Sequence, residues 1–233
     1  MKTFKIEAAI LGFSLIVLGM FLASGLNNIA ADKRIVSVRG LAEREVKADF
    51  AIWPVVYKTT GNNLQSIYTD VQKANVGIMS FLTKNGIDKD EISESELKIA
   101  DKQADRYSSD RSGDRYTVTS VITVATTKVE LVRQLLTQVG ELLKEGIAIS
   151  AGDYDTRVQY EFKSLNQIKP EMIEEATRNA REAAEKFAAD SGSELGKIQT
   201  ANQGLFSIDD RDNYTPYIKH IRVVTSVNYY LEN

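Results

Sequence analysis

The first part of the chain shows no alternation of polar and apolar positions. From Ala8 to Leu26 only Ser14 and Ser24 are clearly polar, and no charge appears between Ala8 and Ala31. As a helix this run is about 28 Å long, close to the roughly 30 Å hydrocarbon core of a bilayer. Ala8, Leu11, Leu15, Val17, Leu18, Phe21, Leu22 and Leu26 cover every side of it, so no face suits water. The pattern predicts one transmembrane helix within residues 1–31 and a folded region over 32–233. Lys2 and Lys5 precede the run, which favours a cytoplasmic N-terminus and an extracytoplasmic folded region. A signal-peptide apolar region spans only about 7–15 residues, so the length favours an uncleaved signal anchor. Ala23-Ser24-Gly25 also fits a cleavage site, and a secreted or periplasmic product is the alternative.

Beyond the run the periodicity changes several times. Arg34 to Gly40 alternates like a strand, and Glu45 to Thr59 reads as a longer one containing Phe50, Ile52, Val55, Val56 and Tyr57. Pro54 cannot donate a ladder hydrogen bond, which predicts an edge or a bulge there. Asn63 to Asn85 switches to helical spacing, with Leu64, Ile67, Tyr68, Val71, Ala74, Ile78, Phe81 and Leu82 on one stripe. Gly86 suits the left-handed residue that ends such a helix. Ile92 to Ala100 reads as a strand, Asp101 to Arg115 as an exposed loop, and Tyr116 to Thr126 as the clearest strand. Val129 to Leu143 predicts a helix with Val129, Val132, Leu135, Leu136 and Val139 inward, followed by Gly146 and a strand region over Ile147 to Phe162.

Lys169-Pro170 predicts the start of the longest helix, since a proline in the first turn forfeits no hydrogen bond. Met172, Ala176, Ala180, Ala183 and Phe187 would face inward, and Gly192 or Gly196 would end it. Gly196 to Ser207 and Ile218 to Leu231 predict two last strands around a polar loop, Asp209 to Pro216. The order gives an α+β fold of two successive β-β-α-β-β-like units, with helices packed on mostly antiparallel sheet. No linker rich in Pro, Gly or Ser divides it.

Composition narrows the function. With 43% apolar and 26% charged residues in 233, the chain is built to bury a core. A net charge of −3 lacks the basic footprint of a nucleic-acid binder. The absence of Cys removes disulfides, thiol catalysis and thiolate metal sites.

The candidate chemistry is sparse. A single His220 cannot build a His-rich zinc site, and a strand position favours a structural role for it. A Ser-His-Asp triad would need His220, yet the chain has no Gly-x-Ser-x-Gly elbow. Ser95-x-x-Lys98 matches a short penicillin-interacting pattern, but on a strand residues i and i+3 point to opposite faces. Asp209-Asp210-x-Asp212 and the series Asp101, Asp105, Asp110 and Asp114 lack the loop spacing of a calcium site. Trp53, Tyr57, Tyr107, Tyr116, Tyr214, Tyr217, Tyr229 and Tyr230 could line a carbohydrate or peptide surface, although strand aromatics more often pair across strands or enter the core. No catalytic, cofactor-binding or metal-binding residue is predicted.

The order of these segments resembles the SIMPL domain family. Val36-Ser37-Val38-Arg39-Gly40 leads to Glu45-Val46-Lys47-Ala48-Asp49-Phe50-Ala51, like the family's opening glycine and the strand that follows. Gly86-Ile87 to Glu91-Ile92, then Tyr116, resemble its helix exit and central strand. Ala176, Ala180, Ala183 and Ala184, then Lys186-Phe187-Ala188 and Leu195-Gly196-Lys197-Ile198, resemble its Ala-rich helix and Leu-Gly ending. Ala48 and Ala42 depart from it, standing where the family usually has Pro and often a second Gly. The resemblance covers nearly all of Arg34 to Glu232. It implies a bacterial periplasmic or secreted protein with no settled catalytic residues, large homo-oligomers in some members and a link to oxidative-stress tolerance in others.

The sequence therefore points to a SIMPL-like domain over 32–233, anchored in a bacterial inner membrane with that domain in the periplasm. It would act by assembly or binding, without catalysis or cofactor. Its expected partners are the membrane and further copies of itself, with no nucleic acid and an unknown ligand. The alternative is an envelope hydrolase or a small-ligand or peptide carrier.

Overall fold

The computed structural model describes residues 3–30, 34–104, 113–150 and 156–232, and within the first helix the side chains of Ala8 to Leu22. The elements in chain order are α1 (Thr3–Ala30), β1 (Ile35–Lys47), β2 (Phe50–Gly61), α2 (Leu64–Lys84), a short 3-10 turn (Lys89–Glu91), β3 (Ile92–Glu94), β4 (Lys98–Asp101), β5 (Tyr116–Thr126), α3 (Val129–Gln138), α4 (Gly140–Lys144), β6 (Ile149–Ser150), β7 (Gln159–Glu161), α5 (Leu165–Asp190), β8 (Glu194–Gln203), β9 (Ser207–Asp210) and β10 (Ile218–Glu232). One sheet has the order β1-β10-β8, with β9 also on β10; the other has the order β3-β5-β2-β6, with β4 on β5 and β7 on β2. The pairings of known register are antiparallel. The expected α+β class is thus observed.

The two units are interleaved, not successive. One comprises Met1–Ala42, Ile173–Leu205 and Val223–Asn233, and the other Glu43–Met172 and Phe206–Arg222. β1, α5 and β10 each contribute residues to both. In the second unit α2 covers the sheet with Ile67, Val71, Ala74, Ile78, Phe81 and Leu82, while β2 and β5 supply Ala51, Trp53, Val55, Ile122 and Val124 to the same buried face. Asn63 caps α2 by accepting from the N–H groups of Gln65 (2.9 Å) and Ser66 (3.2 Å). On the side of β2 away from β5, β7 pairs with Phe50–Ile52 and β6 with Val56–Tyr57. Pro54 falls between those pairings, where its missing N–H costs no ladder bond.

In the first unit the core is made of small residues. Ala176, Ala180, Ala184 and Ala188 are each at most 2% exposed and recur every four positions along one face of α5. Val38, Val227 and Tyr229 pack with Ala180 and Ala184. The approach of helix to strand is so close that a Cβ on Gly40 would lie 1.8 Å from the Ala176 carbonyl oxygen. Asn179 Nδ2 also donates to the Leu41 carbonyl at 2.8 Å.

Several expectations need correction. α5 begins at Leu165, so Pro170 sits inside it. The preceding chain is held by Asp49, whose carboxylate accepts from the N–H groups of Lys163 (2.7 Å) and Ser164 (2.9 Å). Burial alone would raise the Asp49 pKa, but these bonds bring it below the ordinary carboxylate value. Ile92 to Ala100 is two strands, and Ser207–Asp210 is a strand on β10 where part of a loop was expected. The helix from Val129 is interrupted at Val139, between α3 and α4. Of the strand region Ile147 to Phe162 only β6 and β7 form among the described residues. Phe187 is 60% exposed and Leu136 is also exposed, not inward.

The expected membrane helix is not borne out as a span: among the described residues no helix is long and apolar enough to cross a membrane. Within α1 the side chains are described from Ala8 to Leu22. Leu26 lies outside those described side chains. All of Ala8 to Leu22 are exposed, with Leu11, Leu15, Leu18 and Phe21 each more than half so.

Candidate functional site

The chemistry considered from sequence is scattered. His220 Nε2 stands 3.9 Å from the Glu43 carboxylate on a half-buried strand position. Ser95 donates its backbone N–H to Val121 (2.9 Å) in the link between β3 and β4, and Lys98 starts β4. Asp101 binds the Arg115 guanidinium through both oxygens, and Asp114 accepts from Thr60 (2.8 Å) and Asn62 (3.0 Å). Asp105, Asp110 and Tyr107 lie outside the described residues. Among the described residues no group of three or more His, Asp or Glu side chains is placed to hold a metal ion.

The described residues of the second unit form a smaller and a larger concavity. The smaller, of about 380 Å³, is lined by Leu64, Ile67, Tyr68, Leu97 and Ile99 with Gln65 and Val118. It is an apolar groove between α2 and the β4 edge, with no charged group converging on it. It accounts for the exposure of Leu64, Tyr68 and Ile99, two of which were expected to be core.

The larger cleft, of about 750 Å³, is within the range usual for small-ligand sites. Its walls are α3, through Arg133 and Leu136; the segment Thr156 to Tyr160, which ends in β7; and the end of β9 with the loop into β10, through Asp210, Asn213, Tyr214, Pro216, Tyr217 and Lys219. The first wall is rigid. The Arg133 guanidinium lies 3.6 Å from the centre of the Tyr217 ring, and its other side is bound by Glu130 at 2.6 Å. Tyr217 meets Tyr160 edge to face, with ring centres 6.2 Å apart and planes at 74°. The Lys47 hydrogen bond, then Arg133, holds the Glu130 carboxyl below its ordinary value. Burial raises the Tyr160 phenol above its own, so it stays a neutral hydroxyl across the physiological range.

The loop wall is fixed by Asp212. Its Oδ1 accepts from the N–H groups of Tyr214 (2.8 Å) and Thr215 (2.7 Å), and its Oδ2 from the Thr215 hydroxyl. The Thr215 hydroxyl first, with Arg211 and the two N–H groups, takes the Asp212 pKa down to about 2. Of the acidic triplet in the expected polar loop, Asp209 and Asp210 end β9, and Asp212 forms the turn, as Asp favours. The turn carries Tyr214, 93% exposed, at the cleft mouth. Lys219 has a buried stem and an ion pair to Asp210. Arg157 is exposed, and no ion pair joins it to a described residue. Of the aromatics named from sequence, Trp53 and Tyr229 are core, whereas Tyr214 and Tyr217 belong to the cleft. Sequence reading missed Arg133, Arg157 and Tyr160 as site residues. Arg157 and Tyr160 share one segment, but Arg133 is on α3 and no local spacing links it to them.

Comparison with known families shows that the model of SIMPL, described as a protein of unknown function (DUF541), fits residues 36–220. No curated protein matches the chain.

Proposed function

This chain belongs to the SIMPL family, and from that premise we propose that it is a membrane-tethered protein of the bacterial cell envelope that works by binding and self-assembly, without catalysis. The observation that carries the tether is α1, whose side chains from Ala8 to Leu22 are almost all apolar and all exposed. Such a surface is unfavourable in water and favourable in lipid. In sequence the apolar run continues to Leu26. The uncleaved anchor would leave the folded region in the periplasm. The family resemblance supports a homo-oligomer and a part in stress tolerance.

Fractionation tests the tether. The full chain is expected to stay with membranes through an alkaline carbonate wash, and Leu15→Arg with Leu18→Arg to release it, since each Arg near a helix centre costs about 3 kcal/mol of insertion. Recovery of the unaltered chain in the wash would sink the tether. Light scattering of the detergent-solubilised chain should give a discrete mass many times 25.9 kDa; a monomer would sink the assembly.

A second reading, a small-ligand or peptide carrier, is favoured by the larger cleft. Its volume and its aromatic wall suit a binding pocket, and its polar lining, with Arg133, Arg157, Asp210 and Lys219, suits a polar or charged guest.

A further inference from the structure

The carrier reading leaves open what the cleft would accept, and the charges on its walls narrow that. Among the described residues Arg133, Arg157 and Lys219 line it against one carboxylate, Asp210, so the described lining is positive overall. Two of the three cations are already matched: Arg133 by Glu130 at 2.6 Å, and Lys219 by Asp210. Arg157 is the cation left for a guest. A guanidinium presents a planar fork of N–H donors that fits the two oxygens of a carboxylate. A doubly charged phosphate would call for a second uncommitted cation, which the described lining lacks.

The aromatic groups define the rest of the guest. Tyr217 is held against Arg133 and Tyr160, so one wall is a pre-set platform. Tyr214 is 93% exposed on a turn whose N–H groups are tied to Asp212. A large aromatic side chain held out on a fixed turn beside a cleft is oriented to cover a flat apolar group. The Tyr217 ring, held on two sides, loses little freedom on binding, which favours affinity.

We propose that this cleft binds a small aromatic carboxylate, with the carboxylate on Arg157 and the ring between Tyr214 and Tyr217. The inference rests on the carrier reading and adds the chemistry of the guest. N-acetyl-phenylalanine has this chemistry, its amide keeps the ring without the charge, and inorganic phosphate keeps charge without the ring.

The three probes are titrated calorimetrically into the full chain in uncharged detergent. The acid is expected to bind in the submillimolar range and the amide about tenfold more weakly, the usual worth of one charge-assisted contact. Phosphate is expected to be weaker than the acid. Arg157→Gln should lower affinity for the acid about tenfold and leave the amide unchanged, and Tyr214→Ala should weaken both. Arg157 and Tyr214 are exposed, so both variants should fold, and unchanged melting would show it. Raised salt should weaken the acid and leave the amide unchanged. Equal binding of acid and amide would overturn the inference and leave the carrier reading standing. Phosphate binding more tightly than the acid would overturn it the same way. Binding of the acid unaffected by Arg157→Gln would place the guest elsewhere. If no probe bound, the inference would fall, and the carrier reading would then be judged by whether ligand co-purifies with the chain in native mass spectrometry.

Discussion

The two units build their cores by opposite means. In one, α5 approaches β1 through alanines and Gly40, and backbone nearly touches backbone. In the other, Trp53, Ile78, Leu82, Ile122 and Leu135 fill the space between helices and sheet with large side chains. In a core of the first kind stability depends on what is absent, so adding one methyl does harm. In a core of the second kind it depends on what is present, and removing atoms does harm. The same mild substitution therefore has different meanings in the two places.

The largest expected effect is in the bulky core. Trp53 is 3% exposed, and Trp53→Ala should destabilise its unit by about 4 kcal/mol through lost burial and the cavity left behind. Denaturant unfolding measures this; a loss under about 1 kcal/mol would mean the region refills easily, which close-packed interiors do not do. Next is Gly40→Ala. The new Cβ would stand 1.8 Å from the Ala176 oxygen and 2.4 Å from the Ala180 nitrogen, both backbone atoms that cannot rotate away. A loss of about 3 kcal/mol is expected, with amide exchange speeding up on Ala176 to Ala188. If Gly40→Ala proved neutral, the contrast between the two cores would collapse.

The smallest effect concerns the Asp212 turn, which depends on neither core. Its folded pKa of about 2 lies below the ordinary 3.8, so the turn's stabilisation is present above pH 3.8. It is lost as pH falls toward 2. Amide resonances of Tyr214 and Thr215 should shift over that window, and Asp212→Asn should abolish the shift. A flat profile in the unaltered chain would show that the turn is held by other contacts.

Much of the bulky unit was legible in the sequence because its signals are local. Tyr116 to Thr126 alternates over its whole length and forms β5 as read. Apart from Leu64 and Tyr68, the stripe of α2 is buried, and Gly86 and Gly146 take positive φ after helices. What escaped depends on distant partners. The start of α5 before Pro170 relies on Asp49, over a hundred positions away. β9 has no buried face and exists only through its register with β10. Phe187 shares a helix with buried alanines, yet it points away from them. The cleft was illegible for the same reason, since Arg133, Arg157 and Tyr214 meet only after three separate segments have folded.

The interleaving of the units also constrains synthesis. The first unit closes where the Leu231 N–H donates to the Arg34 carbonyl at 2.8 Å, a bond between the opening of the domain and its last strand. On a ribosome the chain emerges from its N-terminal end, so the segment beside α1 must wait for almost the entire remaining chain before its partner exists. Contacts so distant in sequence form late. Until they do, that strand exposes an unpaired edge, and a ribosome stalled or a chain clipped near the C-terminus would leave it open.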